Sequence, residues 1–210
     1  MTLGDIRLEA LRLMYVNGDS DIRAQDLSQL ADTDTYGVYL VNMWGAVNRC
    51  FCDLENKGAL PSRLLVLNKA DAERCAFGGR LRFTPATLRS DFLAADRLVY
   101  ENSEGEYDPD APYKIEGEHI IIPDFDSDSE EYRLYYHPRI ARIFPYTADT
   151  AEIDIPDNIA AYIPYFIKSE LYAEEEPGEA VEARNIYESG VLTAIKSVSR
   201  QARVQSRYTL

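Results

Sequence analysis

From residue 155 to residue 192 the chain reads IPDNIAAYIPYFIKSELYAEEEPGEAVEARNIYESGVL, and its apolar residues return every three to four positions. Ile159, Tyr162, Ile163, Phe166, Ile167, Leu171 and Tyr172 share one face of a predicted helix. Ala180, Ala183, Ile186, Tyr187, Val191 and Ile195 share one face of a second, and Glu174-Glu175-Glu176-Pro177-Gly178 breaks the chain between them. Two broad apolar faces exceed what a hairpin buries by itself, so this feature requires more helices elsewhere in the chain. Pro156 opens the section with a φ suited to a first helical turn, and Asp154 is a candidate cap. Pro164 lies inside the pattern, so the first helix kinks there or starts later.

The N-terminal third supplies those helices. Thr2 followed by Asp5 resembles a capping arrangement, and Ile6, Ala10, Leu13 and Met14 then fall on one face. Asn17-Gly18-Asp19 ends that helix. A longer one follows the N-cap run Asp32-Thr33-Asp34-Thr35, with Val38, Val41, Trp44, Ala46 and Phe51 as its apolar faces and Lys57-Gly58 as its stop.

After Pro61 the period shortens. Leu64-Leu65-Val66-Leu67, Leu81-Arg82-Phe83, Arg97-Leu98-Val99-Tyr100, Ile115, His119-Ile120-Ile121-Ile122 and Tyr132-Arg133-Leu134-Tyr135-Tyr136 read as short strands, with Ile140, Ile143 and Phe144 following. Gly78-Gly79, Glu104-Gly105, Asp108-Pro109-Asp110 and Pro138 punctuate them, as in a small antiparallel sheet or barrel. The order helices, strands, helices predicts an α+β protein: a helical bundle built from both ends of the chain, with an antiparallel β-rich module inserted. The expected divisions are an N-terminal helical part at 1–61, a β-rich module at 62–148, a helical hairpin at 149–195 packing on the N-terminal helices, and a basic arm at 196–210.

The 210 residues suffice for a sizeable core, and 28% charged residues is ordinary for a globular chain. Tyrosine is not ordinary, at 15 against 7 Phe and 1 Trp, and such an excess suits surfaces buried against partners. Met1-Thr2-Leu3-Gly4-Asp5 lacks the basic start of a secretion signal, and no apolar run is long enough for a transmembrane helix. Three cysteines, Cys50, Cys52 and Cys75, are then expected as free buried thiols of a reducing compartment. A net charge of −14 argues against holding duplex DNA by phosphate neutralisation.

Chemistry finds no anchor. Asp124-Phe125-Asp126-Ser127-Asp128-Ser129-Glu130 has alternating carboxylates, but a calcium loop would need glycine at Ser129 and glutamate at Tyr135, so a solvated hairpin loop is expected. His119 and His137 accompany no nucleophile motif, and Gly78-Gly79 is not followed by the Lys-Ser or Lys-Thr of a phosphate loop. Cys50 and Cys52 lack the spacing of a redox pair or zinc knuckle. No catalytic residue, metal site or cofactor is expected.

Charge is unevenly placed. Twelve acids lie from Glu101 to Glu131 with Lys114 among them, whereas Lys196, Arg200, Arg203 and Arg207 occur in a segment without acids. An acidic patch and a basic arm on one chain suit head-to-tail association of copies.

This organisation, with the hairpin IPYFIKSELYAEEEPGEAVEARNIYESGV, resembles the ring-forming head-to-tail adaptor (connector) proteins of tailed bacteriophages. Ile163 to Leu171, Glu174 to Pro177 and Ala183 to Tyr187 correspond to the apolar helix, acidic-proline break and Ala/Arg/Asn-Tyr helix of that hairpin. The likeness covers the two helical thirds. It implies a non-enzymatic ring, commonly of twelve subunits, made in the host cytoplasm and placed at the neck of the virion. There it would sit below the portal protein, extend the DNA channel without specific DNA binding, and carry tail or neck proteins, with no membrane partner. The implied interface residues are Lys196, Arg200, Arg203, Arg207 and Tyr208. The alternative is a non-enzymatic binding module that presents Tyr132, Tyr135 and Tyr136 of the β-domain to a carbohydrate or protein ligand.

Overall fold

The structure, a computed structural model, describes residues 1–15, 27–31, 36–74, 79–101, 107–108, 111–124 and 131–208; of these, 28, 74, 101, 107–108 and 198–208 are described by backbone alone. In chain order the elements are α1 (Leu3–Met14), α2 (Leu27–Leu30), α3 (Gly37–Asn56), β1 (Arg63–Asn68), β2 (Glu73–Arg74), β3 (Arg80–Phe83), α4 (Pro85–Leu88), β4 (Phe92–Glu101), β5 (Tyr107–Asp108), β6 (Lys114–Glu116), β7 (His119–Pro123), β8 (Glu131–Pro138), α5 (Asp157–Ala160), α6 (Ile163–Leu171) and α7 (Pro177–Tyr208). The protein is α+β. It divides into two compact units, one of residues 1–60 with 140–210 and the other of residues 61–139.

In the helical unit the local signals act as their chemistry dictates. Thr2 Oγ1 accepts from the Asp5 backbone N–H at 3.1 Å and Asp5 Oδ2 accepts from the Thr2 backbone N–H at 2.9 Å, a reciprocal capping box. These bonds from Thr2 hold the Asp5 carboxyl below the usual carboxylate range. At the far end of α3 Gly58 takes φ +59°, a left-handed conformation, and its N–H donates to the Glu55 carbonyl. α6 starts at Ile163 with Pro164 in its first turn, so the proline opens this helix instead of kinking it. Ile6, Leu11, Met43, Val47, Phe51, Ile163, Ile167, Tyr187 and Val191 are fully buried in one core shared by α1, α3, α6 and α7.

Two expectations are corrected here. Residues 140–148 do not continue the strand pattern: Ile140 and Ile143 are buried in the helical core. Their backbone N–H groups donate to side chains of α3, Ile140 to Glu55 Oε1 at 2.7 Å and Ile143 to Asn48 Oδ1 at 3.0 Å, which replaces ladder bonding. Residues 196–208 are not a separate arm, because α7 runs unbroken from Pro177 to Tyr208.

Among the described residues the β-rich unit holds two antiparallel four-stranded sheets, ordered β1-β8-β4-β5 and β2-β3-β7-β6. Leu65 and Leu67 of β1, Leu81 and Phe83 of β3, Ile120 and Ile122 of β7, and Tyr132, Leu134 and Tyr136 of β8 point into one core between them. That alternation is the period of two read from the sequence. Gly117, at φ +62°, makes the short link from β6 to β7.

The tyrosine excess serves these cores more than any surface. Tyr132, Tyr136 and Tyr187 are among the largest fully buried side chains. Tyr136 donates to Asp91 at 3.0 Å, and Tyr172 donates to the Met14 carbonyl at 2.6 Å. Tyr15 and Tyr36 meet edge to face at 4.7 Å. Among the thiols Cys50 is buried but Cys52 is exposed, and Cys75 lies outside the described residues.

Candidate interaction surface

The residues expected to meet a partner lie along α7. Lys196 is exposed, one position beyond the partly buried Ile195. The side chains of Arg200, Arg203, Arg207 and Tyr208 lie outside the described residues, but their backbone is helical. On a continuous helix the spacings of four, three and four from Lys196 to Arg207 put the four cations on one stripe.

From Asn185 to Thr193 the outward face of α7 carries no charge, and the exposed Glu182 lies on it one turn earlier. Asn185, Ile186, Ser189, Leu192 and Thr193 are exposed, and Val181 lies on the same side. Ile186 was expected on the inward face; it sits at the edge and is 37% exposed. The hydroxyls turn back on their own helix: Ser189 Oγ donates to the Ile186 carbonyl at 3.2 Å and Thr193 Oγ1 to the Ser189 carbonyl at 2.8 Å. What this face offers outward around Ile186 and Leu192 is therefore apolar, with Glu182 and Asn185 as its polar edge.

A second apolar surface was not read from the sequence. Val38, Val41 and Trp44 were expected in the core, but they are exposed, Trp44 at 41%, while Leu40, Met43 and Val47 face inward. A cavity of about 310 Å³ opens beside them, between Leu3 and Arg7 of α1, Leu40, Val41 and Trp44 of α3, and the loop Ile143-Phe144-Pro145. The loop is held in place: Asn48 Nδ2 donates to the Ile143 carbonyl at 2.8 Å and the Phe144 N–H to Thr147 Oγ1 at 2.8 Å. The Phe144 and Tyr146 rings stack at 5.6 Å and both are exposed. Arg7, the charged group in the cavity wall, is engaged by Asp149 Oδ1 at 2.6 Å. One signal pointed here: Gly37 to Asn48 contains no charged residue in a chain that is 28% charged.

A polar network ties α7 to α3. Tyr187 donates to Asp53 Oδ2 at 2.6 Å, Lys57 pairs with Asp53 and, at 3.0 Å, with Glu188, and Arg184 lies 4.4 Å over the Phe166 ring. Burial pushes the Asp53 carboxyl up, but hydrogen bonds from Lys57 and Tyr187 outweigh it and leave the group below its ordinary value. The Cys50 thiol is pushed up to about 12, first by burial.

The tyrosines assigned to the alternative binding module are not presented to a ligand: Tyr132 and Tyr136 are buried, and Arg97 covers the Tyr135 ring at 4.4 Å. Of the histidines, His119 shares a hydrogen bond with Thr84 at 2.9 Å and His137 lies 4.0 Å from Asp96. Of the acidic loop, Asp124 pairs with Lys69 at 2.5 Å, and residues 125–130 lie outside the described residues. Among the described residues no three His, Cys, Asp or Glu side chains are grouped to hold a metal ion, and no helix is long and apolar enough to cross a membrane. No protein-family profile matches this sequence, and no curated protein matches it.

Proposed function

We propose that this protein is a structural subunit that assembles into a ring and serves as a head-to-tail adaptor below a phage portal. The observation that carries the reading is α7. Its first half, through Ala180, Ala183, Tyr187, Val191 and Ala194, packs into the helical core, while the same helix continues to Tyr208 with four cations on one stripe and no acid. A long helix that starts in the core and ends in a segment with cations and no acid suits docking on an acidic neighbour. The hairpin that resembles the adaptor family forms α6 and α7 around the acidic break, and its two faces bury against α1 and α3. A chain at −14 also suits a conduit along which DNA slides without adhering.

Light scattering on the purified chain, with and without residues 197–210, tests this. A ring-sized mass that falls on truncation, or a ring that forms when portal protein is added, supports the adaptor. A monomer that neither associates nor binds portal overturns it.

A further inference from the structure

We infer that copies of this chain associate head to tail through the helical unit, the outward ridge of α7 on one copy entering the cavity beside Trp44 on the next. The inference rests on the self-association part of the reading above and names the surfaces that make it.

Apart from Met1, the exposed large apolar side chains described in this unit form two groups. One is Val38, Val41, Trp44, Phe144 and Tyr146 around the cavity, and the other is Val181, Ile186 and Leu192 on α7. Head-to-tail association requires two unlike surfaces on each molecule, and a concave and a convex one are both present. The cavity, about 310 Å³, has room for aliphatic side chains such as Leu192 and Ile186.

Both surfaces are also prepared alike for loss of water. Asn42 Nδ2 donates to the Val38 carbonyl at 2.9 Å on α3, as Ser189 and Thr193 donate to carbonyls on α7, so docking around Ile186 and Leu192 leaves these groups bonded, with Glu182 and Asn185 at the wet edge of the ridge. At a net charge of −14, two copies repel except where charge is absent or opposite.

The flanks supply opposite charge. Beyond the cavity loop the chain carries Asp149, Glu152, Asp154 and Asp157 with no Lys or Arg between Arg142 and Lys168. Glu152, Asp154 and Asp157 are exposed. The ridge leads into Lys196 and the basic stripe, which would follow that acidic strip on the neighbouring copy. A different protein with an apolar-then-basic helix would fit the same cavity, and the test separates the two occupants.

Val41→Cys and Leu192→Cys are each made in a Cys52→Ser, Cys75→Ser background, one variant carrying a mass tag, and the full-length chains are mixed under mild oxidation. Both positions are exposed, so neither change disturbs the core. The expected product is the mixed 41–192 disulfide in clear excess over either homodimer. In parallel, Val41→Glu and Leu192→Glu are each expected to weaken self-association about tenfold or more, as loss of a central apolar anchor does, with helical circular dichroism unchanged. Rings that persist in both glutamate variants without a 41–192 disulfide would overturn these surfaces while leaving the ring reading standing. A chain that stays monomeric at every concentration would overturn the inference, and portal-driven ring assembly would then decide the adaptor reading separately.

Discussion

Tyr187 of α7 donates its hydroxyl hydrogen to Asp53 of α3 at 2.6 Å, although 134 residues separate them in the chain. The ring is fully buried and meets Phe166 edge to face at 5.0 Å, so one side chain closes the apolar core and anchors the polar network above it. Tyr187→Phe keeps the packing but removes one donor from Asp53, which retains Lys57. Its expected cost is about 1 kcal/mol, whereas Tyr187→Ala opens a cavity and costs about 3–5 kcal/mol. Urea unfolding of the two variants measures the difference.

Alkaline pH acts on the same place. Burial, first of all, raises the Cys50 thiol from an ordinary value of 9.0 to about 12, and burial likewise raises the Tyr187 hydroxyl well above its ordinary 10.0. A group whose folded pKa lies above its unfolded one contributes its full stability below the unfolded value and loses it as pH rises toward the folded value. Stability is therefore expected to hold up to about pH 9 and then fall, each such group adding about 1.4 kcal/mol per pH unit to the slope. Denaturant midpoints measured across this range check it, and Cys50→Ala should delay the onset toward pH 10.

Two glycines of α7 make a paired test. A Cβ on Gly190 would lie 2.2 Å from Cε1 of the Tyr162 ring, while one on Gly178 meets nothing within 4 Å. Gly190→Ala is expected to destabilise by about 1–3 kcal/mol despite its better helix propensity, and Gly178→Ala to stabilise by about 0.5–1 kcal/mol. Thermal melts of both, with Tyr162→Ala added to Gly190→Ala to recover part of the loss, read out the clash directly.

The capping box gives a prediction at the other end of the chain. Thr2→Ala removes one partner of the Asp5 backbone N–H and is expected to cost about 1 kcal/mol. Because the Asp5 carboxyl is held below its ordinary 3.8, the stability it adds is present above that pH and lost as pH falls through the folded value. Chemical denaturation at neutral pH and at about pH 3 should show the difference between wild type and variant shrinking in acid.

Features set by near neighbours were legible in the residues alone. Thr2 with Asp5, Gly58 after α3, and the alternation of Leu81, Arg82 and Phe83 each follow from spacings of a few positions, which the backbone period converts into faces and caps. The cations at 196, 200, 203 and 207 were legible as a basic segment, but only an unbroken α7 makes them a stripe. Val41 and Trp44 look like core residues on α3, and Ile143 looks like the end of a strand. Which apolar residue is covered depends on which element arrives opposite it, and that is decided by chain segments far away in sequence. α1 and the loop from Ile143 to Thr147 leave a cavity beside Trp44 where a filled core was expected. Local sequence thus determined the elements and their ends, whereas packing between distant segments decided which apolar faces remained open for a partner.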